Sequence, residues 1–383
     1  MASFIPVNEP LLDGNEKKYL IECIESGWIS SEGPFVKLFE EKFAARVGRK
    51  HGIAVTNGTA AIDAAVEALG IGPGDEVILP TFTIISCIIQ IVRSGATPVL
   101  VDSDPVTWNM DVTQIESKIT ERTKAIMVVH IYGLPVDMSP ILDIAKKYNL
   151  RIIEDAAEMH GQTYRGKPCG SFGDISTFSF YPNKHITTGE GGMIVTDDDE
   201  IAETCRSLRN LCFQPQKRFV HDRLGWNLRM TNMQAALGLA QLERLDEFVT
   251  RKRSMGSRYT ELLADLNCVQ LPLERTDYAD SIYWVYGLVI DRNCGINAEV
   301  AMKRLAAKGI GTRPFFYPMH QQPVLRKMGL FVNESYPVAE KISTQGVYLP
   351  SGMAISRDSI EAVSTALRTV LLNDQSIIIN LDV

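Results

Sequence analysis

The sequence predicts an α/β fold, a mostly parallel sheet with helices on both faces, followed by a smaller C-terminal α+β domain. Short apolar, β-branched runs alternate with amphipathic helical runs through the first two-thirds of the chain. Strands that read as continuously apolar are covered on both faces, which is the habit of parallel sheets. The alternation changes character near residue 245, and 383 residues exceed the usual size of one domain. The chain is therefore divided into 1–245, the large domain, and 246–383, the small one.

The elements follow in order. KLFEEKFAARVG (Lys37–Gly48) has a helical period closed by glycine, and HGIAVTNG (His51–Gly58) is a strand ending in Asn-Gly. AAIDAAVEALG (Ala60–Gly70) is helical, EVILP (Glu76–Pro80) a strand, IISCIIQIVRSG from Ile84 helical, and TPVLVD (Thr97–Asp102) a strand. AIMVVHIYG (Ala125–Gly133) and LRIIED (Leu150–Asp155) are strands separated by the helical ILDIAKKYN. Gln234–Leu266 reads as one long helical stretch, then WVYGLVI (Trp284–Ile290) as a strand and VAMKRLAAKG as a helix. The tail SIIINLDV is apolar, suited to an edge strand or to covering a partner surface.

Composition excludes several classes. A net charge of −7 without a basic stripe gives nucleic-acid binding no electrostatic support. No apolar run reaches the roughly 18 to 20 residues of a membrane span, and MASFIPVNEP lacks a signal-peptide layout. The seven cysteines are odd in number and form no CxxC pair, so neither a disulfide framework nor a zinc site is expected. They read as buried small hydrophobes, Cys169 among them, in a reducing cytoplasm.

Chemistry concentrates at three places, all at strand ends or turns, where open α/β sheets bind ligands. Asn57, Gly58 and Thr59 end a strand and open a helix, either an anion site for a cofactor phosphate or an ordinary turn and cap. Asp155 closes an apolar strand in EDAAEMHG (Glu154–Gly161). Lys184 lies in SFYPNKHITTGEGG (Ser179–Gly192), between Phe180, Tyr181 and Pro182 and a glycine-rich turn. A lysine in such a pocket loses its charge and becomes a nucleophile able to form a Schiff base. Together these are the parts that pyridoxal 5'-phosphate (PLP) requires: a Schiff-base lysine, a carboxylate at the pyridine nitrogen and a phosphate cradle. Glu158 is placed at the ring hydroxyl and Ser179 at the phosphate. Glu154 reads as a solvated or ion-paired neighbour, and His160 either orients Asp155 or is a satisfied core histidine.

The motifs NGTAA (57–61), EDAAEMHG, SFYPNKHITTGEGG, WNLRMTNMQAA (226–236) and TRPFFYPMH (312–320) resemble the PLP-dependent sugar aminotransferases of fold type I, over nearly the whole chain. The resemblance implies that Lys184 is the Schiff-base lysine, Asp155 the pyridinium partner and Glu158 the ring-hydroxyl contact. It places Gly58, Thr59 and Ser179 at the phosphate, with Asn227 reaching it from a second subunit of a homodimer with shared active sites. It further implies transfer of an amino group from L-glutamate to a keto sugar, such as nucleotide-linked GDP-4-keto-6-deoxymannose. A free keto sugar such as an 8-keto octulosonate, a PLP-dependent sugar dehydratase and a non-catalytic PLP-binding regulator are the alternatives. Lys184, where the dehydratase branch carries histidine, favours transamination. One departure stands out: PTFTII offers Ile84 where family members stack an aromatic ring on the pyridine.

Substrate contacts are less legible. Trp28, in the loop GWISSEGP, either faces a sugar or is buried. Arg229, Arg313, Tyr317 and His320 are candidates for the sugar, the nucleotide or the donor carboxylate, with structural salt bridges as the alternative. His185 either contacts substrate or supports the lysine.

Overall fold

A computed structural model describes residues 4–214, 216, 217 and 219–372. The tail SIIINLDV lies outside the described residues. Helices α1 (Glu16–Ser26) and α2 (Pro34–Val47) precede β1 (His51–Val55), α3 (Gly58–Ala68) and β2 (Glu76–Pro80). Then come α4 (Ser86–Arg93), β3 (Thr97–Val101), β4 (Thr123–Val129), α5 (Met138–Tyr148) and β5 (Arg151–Asp155). A hairpin of β6 (Thr163–Tyr164) and β7 (Lys167–Pro168) leads to β8 (Ile175–Ser179), β9 (Gly192–Thr196) and α6 (Asp199–Arg209). Helices α7 (Asn232–Leu242) and α8 (Leu245–Leu263) lead to a second region. It holds β10 (Val269–Gln270), β11 (Tyr286–Ile290), α9 (Ala298–Ala307), β12 (Arg313–Pro314), α10 (Pro323–Lys327), α11 (Pro337–Gln345), β13 (Gly346–Leu349) and α12 (Arg357–Leu372).

The first sheet has seven strands in the order β1-β9-β8-β5-β4-β2-β3. Only β9 runs against the others, pairing antiparallel with both β1 and β8. Alternate residues enter opposite cores. Ile53, Val77, Leu79, Met127 and Ile153 face one side, where α3, α4 and α6 pack. Ala54, Ile78, Ile126, Val128 and Ile152 face the other, with α2, α5 and α7. Burial on both faces explains why these strands read as unbroken apolar runs. The second sheet, β10-β11-β13-β12, is antiparallel and shares its own core with α8, α9 and α12. The chain start belongs beside it: Ile5 bridges Ile310, and Ser351 donates to the Val7 carbonyl.

Three expectations differ from the structure. The stretch Gln234–Leu266 is broken at Glu243 and Arg244, where Arg244 leaves helical geometry (φ −112°, ψ 11°). Its guanidinium pairs with Asp13 and Glu247, while the Glu243 carboxylate accepts from Asn15 and Tyr19. Polar anchors on the chain's first segment thus turn the helix. The cysteines differ also. Cys268 and Cys294 are joined, with Cα atoms 5.2 Å apart, because the Val269–Ile290 pairing sets their two segments side by side. The other five are buried and unpaired.

Glu154 is neither solvated nor peripheral. It is fully buried and accepts from the N–H groups of Gly170, Phe172 and Gly173 and from the Ser176 hydroxyl. Val136 N–H donates to His130 Nδ1, so the His130 proton sits on Nε2 and points at Glu154 Oε1, 3.2 Å away. Burial opposes this carboxylate's charge, yet His130 and the backbone donors hold its carboxyl below the ordinary range. Cys169 lies close enough to complete a metal-like triad with His130 and Glu154. That tautomer, with Nδ1 occupied and Nε2 protonated, leaves no lone pair for a cation. Glu154→Gln aims an N–H at a donor, so it is expected to cost about 3 kcal/mol. Urea unfolding should show a lower midpoint at unchanged slope; an unshifted midpoint contradicts the anchoring role.

Candidate active site

The carboxyl ends of β1, β2, β5 and β8 meet at one edge of the first sheet, around a cavity of about 700 Å³. Helix α3 starts there. Its cap is Asn57, whose side chain accepts from Ala60 N–H, and the first N–H groups of a helix have no intrahelical partner. They form the cavity wall at Gly58 and Thr59, opposite Ser179. Gly58 is required by closeness: a Cβ there would lie 2.7 Å from Ser179 Cβ. Gly192 permits the same approach from β9, since its Cβ would meet the Asn57 carbonyl oxygen at 2.4 Å. The Thr59 hydroxyl bonds Ser86 Oγ at 2.8 Å, which adds Ser86 to the wall. Helix dipole, free N–H groups and hydroxyls together suit a dianionic phosphate.

Lys184, Asp155 and Glu158 line the same cavity. Lys184 Nζ is 3.7 Å from Glu158 Oε1 and 3.8 Å from the centre of the Trp284 ring. Burial lowers the Lys184 pKa, although Glu158, Asp155 and Cys87 pull it back. Burial likewise raises Glu158 to about 8, opposed by Lys184 and by the Tyr132 N–H that donates to it at 2.6 Å. Both groups are therefore driven toward their neutral forms. Asp155 is buried; the Ala157 N–H (3.0 Å) and the Cys87 thiol (3.2 Å) donate to it. Burial raises its carboxyl above the ordinary range in spite of these donors and Lys184. A buried carboxylate so weakly compensated is suited to a cationic ring nitrogen. With the lysine and the phosphate cradle beside it, the donor set fits PLP. Ile84 lines the cavity wall and is 46% exposed.

Other expected contacts lie elsewhere. His185 is buried outside the cavity; its Nε2 donates to the Ile282 carbonyl at 3.0 Å, and burial lowers its pKa to about 3. It cannot touch substrate from there. His320 is also buried, held by Thr81 at Nδ1 and Glu340 at Nε2, as part of the framework. His160 packs against Phe43, Phe178 and Phe180 and does not bond Asp155. Arg229 donates to the Asn210 side chain and is not among the residues lining the cavity. Trp28 is half exposed at 51% and outside the cavity, and Asn227 is exposed. Arg313 and Tyr317 are exposed too, though the Arg313 charge acts on Tyr348, a cavity residue. The sequence reading missed Trp284, Phe316, Tyr348, Ser86 and Cys87. Only the aromatic density of YWVYG, and of PFFYP within the last motif, hinted at Trp284 and Phe316.

Sheet order, cavity position and the lysine above a buried aspartate define a PLP-dependent aminotransferase of fold type I. The chain belongs to the DegT/DnrJ/EryC1/StrS aminotransferase family, which residues 10–368 match. It is 46% identical to GDP-perosamine synthase of Caulobacter vibrioides over 369 residues, 96% of this chain and 98% of that protein. It is 44% identical to GDP-perosamine synthase of Escherichia coli O157:H7 over 357 residues, 93% of this chain and 96% of that one. Among solved structures, the aminotransferase TlmJ from Streptoalloteichus hindustanus matches with a TM-score of 0.89 at 30% identity, covering 97% of this chain and 100% of that one.

The Glu158 shift has a measurable sign. The folded group holds its proton to about pH 8 against an ordinary value of 4.5. Its contribution to stability is thus complete below the ordinary value and lost as pH rises through about 8. Cofactor-free Glu158→Gln should melt above the parent at alkaline pH, with the gap closing toward acid. A gap that does not vary with pH contradicts the assignment.

Proposed function

We propose that the protein transfers an amino group from L-glutamate to the C4 keto group of a nucleotide-linked sugar, GDP-4-keto-6-deoxymannose. The observation that carries this is the enclosed Lys184 amine beside Glu158, in a chain matching GDP-perosamine synthases over nearly its full length. Bound PLP supplies an electron sink for the carbanion at the reacting carbon. Lys184 holds the cofactor through its amine. Once released, Nζ, whose charge burial disfavours, takes the α-proton of glutamate, and in the second half-reaction it delivers a proton to the sugar carbon. Glutamate leaves as 2-oxoglutarate and the sugar leaves as the amine, so the exchange balances.

Asp155 would face the ring nitrogen and favour its protonated form, Glu158 would bond the ring hydroxyl, and Gly58, Thr59 and Ser179 would hold the phosphate. Asn227 serves the site of a second copy in a homodimer, in keeping with its exposed position. Exposed apolar side chains support such an interface: Ile24 (64%), Trp28 (51%) and Ile29 (52%) near α1, and Leu224 (91%) just before Asn227. Arg313, with Tyr317 close by in sequence, is placed at the sugar-nucleotide end, since its charge reaches Tyr348. No helix among the described residues is long and apolar enough to cross a membrane; we place the enzyme in the cytoplasm, where nucleotide sugars are made.

Lys184→Ala should abolish the visible absorption of the purified holoenzyme, and an unchanged spectrum refutes the lysine assignment. Asp155→Asn should lower kcat by roughly 100-fold, the equivalent of about two pKa units of lost pyridinium stabilisation; parent-like turnover refutes its role. Stoichiometric 2-oxoglutarate release should occur with the GDP-linked 4-keto sugar. Release with a free keto sugar alone shifts the substrate class, and product formation without glutamate indicates a dehydratase.

A further inference from the structure

The Lys184 amine lies about as close to an aromatic face as to its nearest carboxylate oxygen. At 3.7 Å from Glu158 Oε1 it is outside ordinary hydrogen-bond length. At 3.8 Å from the Trp284 ring centre it is well inside cation–π range. We propose that Trp284 is a positioning and charge-tuning residue for Lys184, with its ring face holding the amine and favouring its protonated form. The proposal rests on Lys184 as the reactive amine.

Three contacts fix the ring for this task. Its indole N–H donates to the Asn183 carbonyl at 2.8 Å, so the ring is tied to the residue just before the lysine. Its backbone carbonyl accepts from Lys252 Nζ at 2.8 Å, a buried amine on α8 that also donates to the Ser351 carbonyl. Its face packs near parallel to Phe316, at 16° and 6.3 Å between centres. Trp284 is thus held from the second sheet's side while touching the first sheet's lysine, and only 4% of it is exposed.

The physical effect has a definite direction. Burial drives Lys184 toward the neutral amine. A proton shuttle must take up a proton as well as give one, so an amine held too weakly basic loses rate. Glu158, Asp155 and Cys87 favour the cation, while His160 and His185 are buried neutral neighbours. The ring adds a favourable quadrupole without a further ionisable group. A carboxylate in the same place would bond the amine tightly and keep it from moving between partners.

The test uses cofactor-free protein, so that it does not depend on turnover. Lys184 is acetylated with limiting acetic anhydride across a pH series, and its modification is followed by peptide mass spectrometry. Trp284→Leu should lower the apparent pKa of Lys184 by about one unit, a roughly tenfold change in the ratio of protonated to neutral amine. Trp284→Phe should lower it by less than half as much. If the leucine variant fails to fold, the order Trp above Tyr above Phe carries the test. Equal values across the ring series, or an unchanged Trp284→Leu profile, overturn the proposal. Failure here with a normal holoenzyme spectrum leaves the Lys184 assignment standing, whereas loss of colour only in Lys184→Ala supports that assignment independently.

Discussion

The structure depends on keeping one amine and two carboxylates out of water at the same edge of a sheet. Charges in such a place are costly unless paired, and here they are paired incompletely. Lys184 stops short of a hydrogen bond to Glu158, and Asp155 has a thiol and one backbone N–H as its donors. Each group is pushed toward neutrality by burial. The groups of PLP are complementary to these gaps: a ring nitrogen would suit Asp155, an aldehyde the Lys184 amine, and a phosphate the start of α3. The cavity is under-compensated in the pattern of its cofactor.

Holding that arrangement falls to features with no chemical role of their own. Glu154 ties the loop 170–173 and β8 to His130 at the end of β4. Glycines 58 and 192 let α3, β8 and β9 close on each other. From the opposite side, the second region contributes Trp284, Phe316 and Tyr348. The cavity therefore takes its charged floor from one sheet and its aromatic wall from the other. The polar floor suits cofactor chemistry, and the aromatic wall suits the sugar ring and its nucleotide.

How much of this was legible differed by distance along the chain. Strands β1 to β5 and helix α3 could be read because their apolar periodicity is local, and Lys184, Asp155 and Glu158 because each sits in a short polar break within such a pattern. The fate of His185 and His320 was not legible. Whether a histidine meets a ligand or a carbonyl depends on Ile282 and Thr81, far away in sequence. Trp284 reads as one more strand aromatic until the fold brings it over Lys184. The break at Arg244 was hidden for the same reason, since Asp13 and Asn15, which anchor it, lie more than two hundred residues away.

The central claim is that the amine of residue 184, among all lysines, carries the cofactor. Borohydride reduction of the holoenzyme, followed by proteolysis and mass spectrometry, tests it most directly. The phosphopyridoxyl group should be found on the peptide containing Lys184 and on no other. Attachment to a different lysine, or no covalent attachment at all, would contradict the account.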